Sequence, residues 1–344
     1  MSEPQYRSDT RRLRPFAASA GVKARGCSRL LRRAVTDLGA DLPYAKVMDK
    51  LVEHYGIVLG ESTIRKVTLA HAADIHRRSG GFAQGLPEPV AAKGLTFIAE
   101  IDGTMVPTVR SDAASADRRK AKTVQWQEAK VSLAHAQGST QMVYGATLLG
   151  DVDTAGSQLR ACAKRAGFGK GHRVHGVGDG APWIAAQVKQ RFGSQGSYLL
   201  DFYHVCEYLS DASKAIEQQP QTRQAWLDVQ KQRLKAQQPD AVLHALHAHL
   251  EPAHTDDEQA PVRRCYRYLS QRLHQLDYRG AIDQGLPIGS GEIESAHRYL
   301  VQKRLKLPGA WWLAANADHM LALRVNRANG EWADYWATDY RYAA

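Results

Sequence analysis

The chain has 344 residues, 44% of them hydrophobic and 24% charged, with a formal net charge of +11. That composition excludes a disordered tail and is enough to bury a core shared among two or three domains. The excess of Lys and Arg points to a polyanionic partner, nucleic acid before others, because basic side chains gain free energy by displacing counterions from phosphates.

Residues 1–36 carry Arg11, Arg12, Arg14, Arg25, Arg29, Arg32 and Arg33 and read as a basic arm whose later part is helical. Two readings stand side by side, a phosphate-contacting arm and a solvated helix face. Over 37–80, apolar residues recur at helical spacing in PYAKVMDKLVEHYG and again in ESTIRKVTLAHAADI, with IVLG between them. This predicts a helix-turn-helix. Gly56 ends the first helix, Glu61 or Ser62 starts the second, and Thr63, Arg65 and Lys66 stand where a recognition helix meets base edges. A plain helical hairpin is the competing reading. Residues 81–94, rich in Gly and Pro, read as a linker.

The next unit, 95–205, opens with the strand LTFIAEID (95–102), followed by strands over 123–136 and 141–150 joined by the turn residues HAQGST. A helix over 153–168, a strand over 172–179, a helix in APWIAAQVKQRF and a strand over 197–204 complete the order β-β-β-α-β-α-β. Three antiparallel strands followed by alternating helices and strands predict an α/β fold, a mixed sheet flanked by helices. Residues 206–285 are periodic and polar-faced, an all-α insertion. Residues 286–344 return with LPIGSGEIESAHRYLVQKRLK, a Gly-rich turn and then a helix.

Asp102 and Asp179 each end a predicted strand, where loops and helix termini gather polar chemistry. Glu292 and Glu294 compete for a third place; residues two apart face nearly opposite sides of a helix, so at most one reaches a common site. Each acid also has a plainer role: Asp102-Gly103 as a turn, Asp179 as a helix cap, the glutamates as favourable charges in a first helical turn. Together, three carboxylates suit a pair of Mg²⁺ ions, with Mn²⁺ able to substitute, because hard cations prefer carboxylate oxygen and a metal pair assists phosphodiester cleavage.

These segments resemble the DDE transposases of bacterial insertion sequences, in the RNase H-fold branch related to Mutator-like elements. The likeness is carried by IDGTMV (101–106), GDGAPWI (178–184), LDFYHV (200–205) and IGSGEIES (288–295), and continues in the spacing around Arg324 and Trp332. It implies an RNase H-like core, with Asp102, Asp179 and Glu294 as catalytic metal ligands, Glu294 being preferred because it precedes Ser295. It also implies accessory roles for Asp201 and His204, and double-stranded DNA, both element ends and target, as partner. Arg298, Lys303 and Arg304 on the helix after Glu294 are candidate phosphate contacts. Trp183, Trp311 and Trp312 are weighed between base stacking and core packing, the latter being commoner for Trp. A homo-oligomer on DNA is expected from the need to hold two ends. An RNase H-fold resolvase and a domesticated, non-cutting regulator are the alternatives.

Cys27, Cys162, Cys206 and Cys265 form no C-x-x-C pair, which suits a reducing cytosol. No apolar run approaches the roughly 20 residues that span a bilayer, and the polar N-terminus lacks the apolar stretch of a secretion signal. The expectation is a cytoplasmic, nucleoid-associated protein without membrane contact.

Overall fold

The computed structural model describes residues 26–79, 94–111 and 122–338, and before them only 5–7, 12–13, 15 and 19. Most of the expected basic arm and nearly all of the expected linker lie outside these residues.

After a short antiparallel pair, Tyr6–Arg7 with Arg12–Leu13, come three helices: α1 (Arg29–Asp41), α2 (Tyr44–Tyr55) and α3 (Glu61–Ser79). Ser28 caps α1 by accepting from Leu31 N–H. Val35, Val47, Leu51 and Ile64 bury a small core among the three. Helix α1 runs across position 36, so the division between arm and helical region falls inside a helix. The unit is docked rather than tethered. Ala72 and Ile75 of α3 share the main core with Trp336 and Val106, and the His71 Nδ1 lies 2.7 Å from the Tyr335 hydroxyl.

A five-stranded sheet follows: β1 (Thr96–Ser111), β2 (Lys122–Ala136), β3 (Val143–Thr147), β4 (Arg173–Gly178) and β5 (Gly196–Leu200), in the order β3-β2-β1-β4-β5. The first three pair antiparallel, while β1 with β4 and β4 with β5 run parallel. This is the expected mixed sheet. Helices α4 (Val152–Ala166) and α5 (Pro182–Phe192) make the crossovers and cover one face, burying Phe97, Ile101, Leu159, Ile184 and Val188. The other face packs on the C-terminal helices through Val106, Ala129, Val131 and Leu133.

Two boundaries differ from the sequence reading, each for a physical reason. The chain does not turn at Asp102-Gly103 but continues straight to Ser111. Beyond Asp102, β1 pairs with no strand but β2 and otherwise makes only an isolated bridge from Thr108 to Trp312, where Val109 N–H donates to the Trp312 carbonyl, so Pro107, which has no N–H to give, interrupts no second strand ladder. Strand β5 ends at Leu200, because the Asp201 carboxylate accepts from Tyr203 N–H (2.6 Å) and His204 N–H (3.1 Å) and so starts helix α6 (Phe202–Ile216). The expected strand over 197–204 thus closes four residues early.

The insertion consists of α6, α7 (Pro220–Lys235), α8 (Pro239–His247), α9 (Pro261–Ser270) and α10 (Tyr278–Asp283). Its own core, including Leu209, Leu234, Leu246, Cys265 and Tyr278, extends onto Val177, Leu199 and Leu200 of the sheet. The chain then forms α11 (Gly291–Ala296), a π-helical turn (His297–Gln302), α12 (Lys303–Leu305), α13 (Ala314–Ala328) and α14 (Trp332–Thr338). Among the described residues no helix is long and apolar enough to cross a membrane.

Candidate active site and nucleic-acid surface

Strand register builds the site. Glu100 pairs with Val177, and Gly178 with Leu200. Two residues beyond the first pair stand Asp102 and Asp179; one beyond the second stand Asp179 and Asp201. Neighbouring strands lie about 4.8 Å apart, so the three aspartates form a row across the end of the parallel strands.

Asp102 and Asp179 open toward solvent from this row, whereas Asp201 does not. Asp201 is buried, and besides capping α6 it accepts from Ser290 N–H at 2.7 Å and from the Ser290 hydroxyl. The resemblance implies an accessory role for Asp201; here both its oxygens are committed, Oδ1 to the start of α6 and Oδ2 to fastening the Gly-rich turn to β5. Gly289 of that turn lies so close to the Tyr203 ring that a Cβ there would meet it at 2.5 Å. His204 faces away from the row, with Nδ1 3.4 Å from Glu207 and its ring beside Tyr208.

The turn delivers α11, and a residue the sequence reading passed over fixes its height. Glu100, on the same face of β1 as Asp102, is fully buried and accepts from Ile293 N–H at 2.8 Å. Burial, with the charges of Glu292, Asp201 and Glu294 nearby, pushes its carboxyl up to about 8. The neutral form therefore prevails at neutral pH, which spares the site one negative charge.

Glu292 and Glu294 separate as the helix geometry requires. Glu292 is 2.7 Å from His135 Nε2, and that bond raises the histidine's proton affinity. Glu294 is exposed, and its charge acts on Asp102, as do those of Asp179 and Glu128. Burial first, and then these carboxylates, push Asp102 up to about 7. Among the described residues no three acidic, His or Cys side chains are drawn together as a closed ligand set.

Two more residues stand near Asp102: His297, which the sequence reading passed over, and Lys306, which it grouped with the basic residues after Glu294. His297 Nδ1 lies 3.7 Å from Asp102 Oδ2, and burial pulls the imidazole down to about 4, so it is neutral. It follows Glu294 by three positions, the spacing that puts two side chains on one helix face. Lys306 donates from Nζ to Thr104 Oγ1 at 2.7 Å, on the Asp102 face of β1.

Asp179 accepts from Ala181 N–H at 2.9 Å through Oδ1, a local turn bond rather than a cap on α5. The insertion holds this turn from outside. The Tyr268 hydroxyl donates to the Asp179 carbonyl at 2.5 Å, and Arg272 donates to the Gly180 carbonyl through Nε (3.1 Å) and Nη2 (3.0 Å).

Of the candidate nucleic-acid contacts, Thr63, Arg65 and Lys66 are exposed on the first turns of α3, with Ile64 turned into the core beside them. Arg298 and Lys303 are exposed as well. Arg304 corrects the sequence reading. It is buried, donates to the Gly39 carbonyl at 3.1 Å, and lies between the Tyr44 and Trp312 rings at 4.8 and 4.7 Å. It bolts α1 to the C-terminal helices and presents nothing to a ligand. The tryptophans divide: Trp312 is in the core, Trp183 packs partly buried from the first turn of α5, and Trp311 is exposed.

No curated protein matches the chain. The model of an uncharacterised protein family, UPF0236, matches residues 169–336. The chain is similar to that family from β4 through the insertion to the last helix, a span that begins after Asp102 and holds Asp179, Asp201, His204 and Glu294.

Proposed function

We propose that the protein is a DNA transposase, cutting strands at the ends of a mobile element and joining the freed ends to target DNA. The observation that carries this reading is the adjacency of Asp102 and Asp179 on neighbouring parallel strands, with Glu294 close enough for its charge to act on Asp102. The strand order β3-β2-β1-β4-β5 and the helical insertion before Glu294 agree with the RNase H-like core of the DDE transposases that the motifs resemble.

The donor set fits a hard divalent cation. All three side chains offer carboxylate oxygen, and the charge that burial, and after it the neighbouring carboxylates, disfavour on Asp102 is what Mg²⁺ would neutralise. Asp102, Asp179 and Glu294 would hold it, and when bound it supplies Lewis-acid stabilisation of the charge that develops on phosphate. The chain's own groups do the positioning. Lys306 and Thr104 line β1 beyond Asp102, and neutral His297 backs the Asp102 carboxylate. In the first step water attacks a phosphodiester and releases a 3′-OH; in the second that hydroxyl attacks a target phosphodiester in line, one P–O bond forming as another breaks. The exposed Thr63, Arg65 and Lys66 are suited to reading the element's ends, and Arg298 and Lys303 to holding backbone near Glu294. Two ends held together call for a homo-oligomer on DNA.

The test is incubation of the protein with labelled element ends and a supercoiled plasmid, with Mg²⁺ or EDTA, beside Glu294→Gln. Joined products that need both metal and Glu294 are expected. Metal-dependent cuts without joining would replace transposase with a resolvase, and binding without cutting would leave a regulator.

A further inference from the structure

We infer that the helical insertion positions the Asp179 carboxylate for the reaction, through Tyr268 and Arg272. The inference rests on the reading of Asp102, Asp179 and Glu294 as the acid site. Two consecutive carbonyls of the turn that carries Asp179 are gripped by one helix end of the insertion: Asp179 by the Tyr268 hydroxyl at 2.5 Å and Gly180 by two nitrogens of Arg272 at 3.1 and 3.0 Å. The grip is itself braced. The Arg272 guanidinium lies 4.5 Å over the Tyr268 ring and donates from Nη1 to the Tyr268 carbonyl at 3.1 Å, while the Tyr208 ring stacks on Tyr268 at 4.1 Å and 8°.

The turn has no slack of its own. Gly180 adopts φ +86°, and a Cβ there would stand 2.5 Å from Leu200, 2.8 Å from the Tyr268 hydroxyl and 3.0 Å from Arg272 Nε. The insertion therefore closes over this peptide at a distance only glycine allows. Without the two donors the turn keeps the bond from Ala181 N–H to Asp179 and that from Gly180 N–H to the Tyr198 hydroxyl, with the flanking Gly178 and Ala181 carbonyls held by Asp201 and Ile184 N–H, and none of these reaches the Asp179 or Gly180 carbonyl. None fixes the direction of the two carbonyls, and a displacement of about 1 Å at a reacting group costs on the order of 100-fold in rate.

Tyr268→Phe and Arg272→Lys in the full chain, with Arg267→Ala as an exposed neighbour on the same helix, test this by two measurements. Amide hydrogen exchange across 178–184 should speed up in the first two variants and not in the third. Mn²⁺ binding, read from the electron paramagnetic resonance of the free ion, should weaken about 10-fold in the same two, the usual size for groups that orient a metal ligand. Exchange and Mn²⁺ affinity both unchanged would overturn the inference. Faster exchange with Mn²⁺ binding that ignores Asp102→Asn would instead leave the clamp in place and overturn the acid site it rests on.

Discussion

Replacing Asp201 separates a structural role from a chemical one. In the native chain four donors converge on this buried carboxylate: Tyr203 and His204 N–H at the start of α6, and the N–H and hydroxyl of Ser290. The cap alone is worth about 1 kcal/mol, and each charge-assisted bond to Ser290 about 1.5. Asp201→Ala also leaves the Ser290 donors buried without partners, so the loss should reach about 4 kcal/mol. At roughly 2 cal/mol/K of unfolding entropy per residue, that lowers the melting temperature by about 6 °C. Asp201→Asn keeps an acceptor on one side only and should lose about half as much. Urea unfolding and calorimetry measure both, and Mn²⁺ affinity, measured well below the melting point, should fall less than in Asp102→Asn. A stability loss under 1 kcal/mol together with abolished Mn²⁺ binding would refute the argument and make Asp201 a ligand.

Two further outcomes follow from the electrostatics. Arg65→Ala and Lys66→Ala should each weaken DNA binding across sequences and reduce the dependence of log K on log salt by about 1, whereas Arg304→Ala should leave that slope intact and cost about 3 kcal/mol of stability; an altered slope for Arg304→Ala would return it to the DNA surface. The His76–Asp318 pair, 3.1 Å apart, ties α3 to α13: its bond to Asp318 raises His76, and Asp318, though burial pushes it up, is lowered by His76 and by Leu148 N–H. The raised His76 contributes stability fully below its ordinary value of 6.5 and loses it as pH rises through the higher folded value; the lowered Asp318 contributes above 3.8 and loses it as pH falls. Wild type should therefore lose stability relative to His76→Gln as pH rises above 6.5, and a constant gap in denaturation midpoint through that rise would exclude the pair.

The parts of the molecule legible in its sequence are those set by local periodicity. Alternation located the strands; Asp179 follows the end of β4, while Asp102 lies inside β1 and comes level with it because the two strands run parallel up to the pair Glu100 and Val177. What escaped is set by partners remote in sequence. Glu100 looks like an interruption of an apolar run, and its partner is a backbone N–H at Ile293, which no side chain announces. Arg304 was grouped with Arg298 and Lys303 by charge, yet it stands four residues after Leu300 and three after Val301, both buried, and so belongs to the apolar side of its helix. The π turn over His297–Gln302 shifts the helix phase just where a 3.6-residue count would be applied.

The same remote bonds explain how one site is assembled from distant segments. Apolar burial draws the insertion and the C-terminal helices onto the sheet, but it is non-directional and sets no carboxylate's aim. Aim comes from buried polar bonds between elements: Glu100 to α11, Asp201 to the turn before it, Tyr268 and Arg272 to the turn after β4. Each joins a backbone group to a side chain from a different element, so the side chain can be exchanged without altering Asp102, Asp179 or Glu294 and still move one of them. Substitutions at these ends should shift metal affinity and rate together while the DNA binding proposed for α3 stays as it was, because α3 is fastened separately, through His71 and His76, and its neighbour α1 through Arg304 and Arg324.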